Sequence, residues 1–313
     1  MSLSFPSDIL QMTAVTVPML LAENKGLDPL DALRTIAITD GIPELVQLFD
    51  FQRPFAENLG VLFTQNSTYF PYAESELRRH FRTPETYNIL LYGMATGHNR
   101  ISQLAEFSGF PQNKCDKYLK ALGKAGLLET AQRKDITDHI RTHYYPKGGY
   151  WKTWFRYVFP SQGCRLKPLE GGNLQQLADD IDCAIVVEYF KKVCWQWMKK
   201  NYGDYYWDEV LRFDDPKQQN VTVNGVHFDY VQETKDHTIY VKIWDDIREG
   251  FPKAEFQKIE TVTTKNRPFY ENIYFLFSAG RACNYVEQLR NLETVSVVDL
   301  KSLLRQKNKG LFG

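Results

Sequence analysis

At 313 residues, 43% hydrophobic and 24% charged, the chain has the composition of a soluble globular protein with about two or three domains. Its formal net charge is zero, so total charge points to no polyanionic or polycationic partner. No apolar run approaches the ~20 residues of a membrane-spanning helix, and the N-terminus, MSLSFPSDIL, lacks the basic-then-apolar order of a signal peptide.

The charge is unevenly placed. Gly97 to Pro168 carries 13 Lys/Arg against 5 Asp/Glu, which leaves 25 against 33 for the rest of the chain. A basic middle flanked by acidic ends says more than the total. The five cysteines are scattered, odd in number and never at metal-ligand spacing. They read as buried free thiols in a reducing cytoplasm.

In chain order, residues 1–83 read as a helical subdomain. Asp28-Pro29 can open a helix through Ala37, Asp40-Gly41-Ile42-Pro43 breaks it, and Glu44 to Phe49 resumes it. Further helices are expected from Arg53 to Phe63 and from Tyr72 to His80.

Residues 84–147 predict a winged helix. Tyr87, Leu90, Leu91 and Met94 recur at helical spacing up to Gly97, a short helix spans Ile101 to Phe107, and Ser108-Gly109-Phe110 turns before Pro111. In the third helix Cys115, Tyr118, Leu119 and Leu122 share one face, whereas Lys114, Lys117, Lys120 and Lys124 fall largely on the other. Gly126 closes it, and Leu127-Leu128-Glu129 turns to strand. Three helices followed by a strand, with a helix-turn-helix in the middle, suit duplex DNA. The lysine face is then the nucleic-acid-binding surface, together with a wing near Arg133, Lys134 and Arg141. A solvated lysine face explains the same pattern, and no side chain here resembles a dedicated base reader.

Residues 148–172 form a connector punctuated by Gly148-Gly149, Pro160, Pro168 and Gly171-Gly172. Its centre, Tyr150 to Phe159, is too aromatic for a solvated linker and reads as a packed element. From 173 to 313 the pattern is α/β. A long helix from Leu174 to Asn201 has Leu177, Ile181, Ile185, Tyr189 and Val193 inward. Strands are expected at Val210–Phe213, Asn220–Gln232, Thr238–Trp244, Asn272–Ser278 and Val295–Val298, with helices at Lys253–Thr263, at Ala282–Asn291 and at the end. That order predicts a small sheet with helices on both faces.

Little chemistry announces itself. No Walker-type phosphate loop occurs, and in Gly148-Gly149-Tyr150-Trp151-Lys152-Thr153 bulky rings stand where backbone amides would wrap phosphate. The six histidines never cluster with cysteines at ligand spacing. One constellation stands out: Glu188 in the long helix, Asp229 in a strand after a Gly-containing turn, and Tyr240-Val241-Lys242 in the next strand. A Mg²⁺-dependent nuclease needs an acid on one strand, then an acid and a lysine two residues apart on the next. Positions 240 and 242 do share a face. A tyrosine in place of the middle acid is a poor Mg²⁺ ligand, so catalysis by Glu188, Asp229 and Lys242 is expected to be degenerate.

The run Ile38 to Asp50 resembles the "GGIP-x-Y-L" segment of archaeal-type, STAND-like P-loop ATPases, and Glu57-Asn58-Leu59 resembles their following "ENI" turn. Ile101 to Ala105 and Lys117 to Leu122 are similar to parts of that family's winged helix, and Trp151 to Pro160 to its "FWFRFV-P" segment. From Asn173 the chain resembles the C-terminal domain of unknown function in those ATPases, akin in order to the PD-(D/E)XK nuclease fold, with Glu188 and Asp229 matching its acids. The resemblance implies a multidomain α and α/β protein: a lid-like helical subdomain, a winged helix and a restriction-endonuclease-like α/β domain. The P-loop domain has no counterpart in the chain. The resemblance thus implies a non-catalytic, cytoplasmic nucleic-acid-binding or regulatory accessory protein without its own ATP site and with no cofactor. Double-stranded DNA is one expected partner and a P-loop ATPase or other protein is the alternative. A divergent nuclease is a further alternative, the only one that calls for Mg²⁺.

Overall fold

The computed structural model describes residues 14–63, 67, 69–134, 139–159, 171–202, 205–206, 209–213, 215, 217–266 and 271–304. It is mixed helical and α/β, and it divides into two compact units. The first takes Met1–Glu129 and Tyr144–Ile181, the second Thr130–His143 and Asp182–Gly313. No helix among the described residues is long and apolar enough to cross a membrane.

The first unit is helical. Its described helices are α1 (Val17–Glu23), α2 (Pro29–Thr39), α3 (Pro43–Val46), α4 (Phe55–Leu62), α5 (Tyr69–His80), α6 (Glu85–Ala95), α7 (Ile101–Ser108) and α8 (Gln112–Lys124). Asp28 caps α2 by accepting the Leu30 N–H at 2.7 Å, and Pro29 fits the first turn, where no N–H is needed. Ala32, Leu33, Thr35, Ile36, Ala37, Ile38 and Thr39 are all buried, so α2 is surrounded rather than amphipathic. The helix α1 was not expected from the sequence. Seven residues with little polar patterning give periodicity nothing to act on.

The aromatic connector folds back onto α2. Gly148–Thr153 form α9, which runs on as a π-helical turn, Trp154–Val158. Tyr150, Trp154, Phe155 and Val158 are fully buried. The Asp40 carboxylate, 109 residues away in sequence, accepts the N–H of Gly149 at 2.7 Å and of Tyr150 at 3.0 Å. It thereby caps the N-terminus of α9 from another element. Only glycine suits position 148: its φ is +83°, and a Cβ would sit 2.2 Å from Asp40 Oδ2. The Tyr150 hydroxyl donates to Tyr69 O at 2.9 Å, and the Tyr69 hydroxyl to Ile38 O at 2.8 Å. Pro160 and Pro168 lie outside the described residues.

Helices α6, α7 and α8 contact one another pairwise. They lead into a two-stranded hairpin, β1 (Leu128–Lys134) and β2 (Ile140–Pro146). Asn99 anchors the second strand: its Nδ2 donates to Tyr144 O at 2.9 Å, and its carbonyl accepts the Tyr144 N–H at 2.7 Å.

The second unit is built on a five-stranded mixed sheet in the order β5-β6-β7-β8-β9. Short strands β3 (Tyr205–Tyr206) and β4 (Glu209–Val210) pair separately. The main strands are β5 (Gln219–Val223), β6 (Val226–Glu233), β7 (His237–Ile243), β8 (Glu271–Ser278) and β9 (Val295–Asp299). The first three are antiparallel, and β7, β8 and β9 are parallel. The run expected as one strand, Asn220–Gln232, is a hairpin turning at Asn224-Gly225, both at positive φ. Parallel pairing requires crossovers, supplied by α12 (Lys253–Asn266) and α13 (Asn284–Gln288). Phe256, Ile259 and Val286 of these helices join Tyr240, Tyr274, Leu276, Val295 and Val297 in one apolar cluster. Helix α14 (Leu300–Leu304) follows β9.

The opposite face belongs to α11 (Val187–Tyr202), whose Trp197 meets Phe277 and whose Trp195 meets Tyr230. The long helix expected from Leu174 is α10 (Gly171–Ile181), a π-helical turn at Asp182–Val186, and then α11. A π turn inserts one residue and rotates everything after it. The inward stripe therefore passes from Ile181 and Ile185 to Val186, Phe190, Cys194 and Met198, in place of the expected Tyr189 and Val193.

Candidate functional site

Two places gather polar side chains in a way that packing does not require. The first is α8. Cys115, Leu119 and Leu122 are buried, and Lys114, Lys117, Lys120 and Lys124 are exposed. Two of the four already have neighbours. Lys120 pairs with Asp116 at 2.6 Å, and this hydrogen bond raises its pKa. The Lys114 ammonium lies 3.9 Å from the Phe110 ring centroid, a cation–π contact. Lys117 and Lys124 project from the middle of the exposed face. Arg133, expected to act with these lysines, belongs to the second unit, and the side chain of Lys134 lies outside the described residues.

The second place is a cavity of about 420 Å³ in the second unit. One wall is α11. Glu188, Lys191, Lys192, Trp195 and Lys199 line it at spacings of three and four residues, a single helical stripe. Phe213, Gln219, Asn220 and Asp229 form the facing wall, and Arg133 closes one side.

Asp229 reaches this cavity because the strand alternation of β6 breaks at that point. Phe228 and Val231 both pack with the cluster under α12. Asp229 and Tyr230, consecutive residues, both turn to α11: Asp229 Oδ1 lies 2.9 Å from Lys191 Nζ, and the Tyr230 ring meets Trp195. Two neighbours on one face break the strand alternation there, although the β5–β6 register is the same on both sides, Val221 opposite Phe228 and Gln219 opposite Tyr230. Asn220, on the neighbouring strand, holds a left-handed φ of +54°. The second oxygen of Asp229 accepts the Ile243 N–H at 2.7 Å. Lys191 also reaches Asp245 at 3.3 Å. Burial opposes its charge, but Asp229, Asp245 and Glu188 outweigh that and raise its pKa.

Of the three residues expected to converge, the fold brings two together. Glu188 and Asp229 line the same cavity. Lys242 lies on the α12 face, where its ammonium donates to His227 O at 2.8 Å and stands 3.9 Å from Glu255. Tyr240 shares that face, as its spacing requires, and its ring is sunk between Phe228 and Tyr274. The broken alternation is the physical reason for the separation: regular alternation would have put Asp229 with Tyr240 and Lys242. The position facing a Mg²⁺ ligand is taken by the Lys191 ammonium, a residue that motif reasoning passed over. Its legible signal was the charged stripe of α11, Glu188 with Lys191, Lys192 and Lys199. Among the described residues no three His, Cys, Asp or Glu side chains converge as metal ligands would.

No protein-family model matches the chain. An uncharacterized protein of Methanocaldococcus jannaschii is similar to part of it, 26% identical over 126 residues. The match covers 39% of this chain and 28% of that protein.

Proposed function

We propose that the protein is a non-catalytic nucleic-acid-binding or regulatory accessory protein of the cytoplasm, with α6 to α8 and the β1–β2 hairpin serving as a winged helix. On this reading it is a relative of archaeal-type P-loop ATPases without an ATP site of that kind, and its second unit is a degenerate PD-(D/E)XK-like domain. The observation that carries the proposal is the exposed lysine face of α8, set against buried Cys115, Leu119 and Leu122 on the opposite face. Exposed ammonium groups in a row can neutralise successive phosphates of duplex DNA. The non-catalytic part is supported by Asp229, whose two oxygens are engaged by Lys191 and by a backbone N–H. A nuclease would need those oxygens for a divalent cation.

Salt dependence tests the proposal. Each neutralised phosphate contributes about 0.9 to the log–log slope of affinity against salt. Replacing Lys117 and Lys124 together by Ala should flatten that slope by roughly 1.8 and leave the thermal midpoint unchanged, since both side chains are exposed. Affinity and slope identical to the unmodified protein would remove α8 as the contact surface.

A further inference from the structure

Four aromatic side chains of the first unit form a row that the hydrophobic core does not take in. Phe81 follows α5, Tyr87 stands in the first turn of α6, Phe110 precedes α8 and Tyr118 lies in its middle. Successive ring centroids are 3.7 Å apart from Phe81 to Tyr87, 5.0 Å from Tyr87 to Tyr118 and 6.0 Å from Tyr118 to Phe110. All four side chains are half-buried, so each keeps part of its ring in water. The buried tyrosines of the same unit behave otherwise. Tyr69 and Tyr150 are fully buried, and each hydroxyl donates to a backbone carbonyl. Among the described residues the hydroxyls of Tyr87 and Tyr118 make no such bond, as befits groups that face solvent.

Positive charge accompanies the row. Residues 78–87 and 110–118 carry five Lys/Arg against two acids, Glu85 and Asp116. Arg79 is paired with Glu76, and Asp116 with Lys120. Arg78, Arg82, Lys114 and Lys117 are exposed, and among the described residues none of them has a carboxylate partner. The Lys114 ammonium stands 3.9 Å from the Phe110 ring centroid and 5.7 Å from that of Tyr118. A ring holds an ammonium in place but, unlike a carboxylate, leaves its charge uncancelled. Rings in succession with fixed cations alongside are complementary to unpaired bases on a phosphate chain: every base offers a π face, and every link a negative charge. In a duplex the bases are stacked on one another and cannot reach such rings.

We propose that this row binds a single-stranded nucleic acid, with bases on Tyr118 and the neighbouring rings and phosphates at Lys114 and Arg82. The strand contact needs neither Lys117 nor Lys124, so it goes beyond the duplex contact at α8 and does not rest on it. Tyr and Phe stack on any base, so the row is indifferent to base order. An acidic peptide would meet the same cations but would leave the rings without planar partners.

The test is fluorescence anisotropy of the full chain with a short labelled oligothymidylate, an abasic strand of equal length, a duplex, and polyglutamate as competitor. The oligothymidylate should bind saturably and at least about tenfold more tightly than the abasic strand, which keeps the phosphates and lacks the bases. Tyr118→Leu should weaken the oligothymidylate about tenfold, the loss of one stacked base, and leave the duplex unchanged. Tyr118→Phe keeps the ring and should bind as the unmodified protein does. Lys114→Ala should flatten the salt slope of strand binding by about 0.7, the contribution of one phosphate on a single strand. Failure of the duplex contact alone shows as an unchanged duplex slope in the variant without Lys117 and Lys124, with strand binding intact. The single-strand site is overturned by no saturable binding of the oligothymidylate, by equal affinity for the abasic strand, or by polyglutamate displacing it as well as unlabelled strand does. Equal weakening by the Leu and Phe variants, or a duplex weakened as much as the strand, would also overturn it. Tyr118 is half-buried and Leu keeps apolar bulk there, so Tyr118→Leu should fold, and a thermal melt checks that it has. Should it not, the abasic strand and Lys114→Ala decide the matter.

Discussion

One carboxylate of the helical unit caps a helix through backbone N–H groups; one of the α/β unit joins a lysine beside a void. Asp40 and Asp229 make the contrast concrete. Each carboxylate accepts a backbone N–H at 2.7 Å, from Gly149 and from Ile243 respectively. The second bond of Asp40 is another backbone N–H, that of Tyr150, and the result is a capped helix. The second partner of Asp229 is the Lys191 ammonium, and the result is a charged wall. A carboxylate that accepts two N–H groups at a helix start stabilises the fold. One engaged by a lysine beside a cavity sets the potential that a ligand meets.

The largest expected effect of a single change tests the cost of Asp229. Asp229→Ala removes the acceptor of a buried N–H and leaves Lys191 with Asp245 as its remaining close acid. Such a loss should destabilise by about 2–3 kcal/mol, less than a fully buried pair because Lys191 keeps some solvent. The measurement is the denaturant midpoint at constant slope. Next comes Asp40→Ala, expected to cost about 1–2 kcal/mol, the loss of a helix cap together with a left-handed φ that Ala tolerates poorly. Asp40→Asn should recover part of this, since Asn accepts that φ of +53° and keeps one oxygen. A larger loss at Asp40 than at Asp229 would reverse the comparison and make the cap, not the charged wall, the more deeply committed carboxylate.

How much of this was legible varies with the physics involved. The helices from Pro29 to Lys124 follow from spacing and punctuation, because Pro, Gly and Asp act locally. So does the order of helices and strands after Asn173, except that the run Asn220–Gln232 is two strands and not one. The capping of α9 by Asp40 was not legible, since it joins residues 109 positions apart. Nor was the displaced stripe of α11: a π turn is a one-residue insertion that sequence periodicity averages over. The broken alternation at Asp229 is a comparable local event in a strand, and it changes the site more. Period-2 alternation correctly grouped Tyr240 with Lys242 and then placed Asp229 on the wrong side of the sheet. Both are local breaks of periodicity, and each redirected side chains from one face to another.

The smallest expected effect concerns acid, and it sharpens the comparison by probing the charged wall without changing a carboxylate. His227 lies on β6, two residues before Asp229. Burial lowers its pKa, the Lys242 and Lys191 ammoniums add to that, and Asp229 and Asp245 oppose it. A histidine whose folded pKa is depressed takes its proton first in the unfolded chain, where the value is about 6.5. Below that pH the unfolded state binds more protons, so stability falls as pH falls from about 6.5 toward the folded value. The group is only partly buried, so after solvent screening the loss should stay below about 1 kcal/mol. Thermal midpoints of the unmodified protein and of His227→Gln should therefore keep a constant difference at pH 7 and above. Below about pH 6.5 the difference should move in favour of the variant, which has no proton to take up there. A difference that stays flat across that range would mean that the lysines flanking the sheet leave His227 electrostatically untouched.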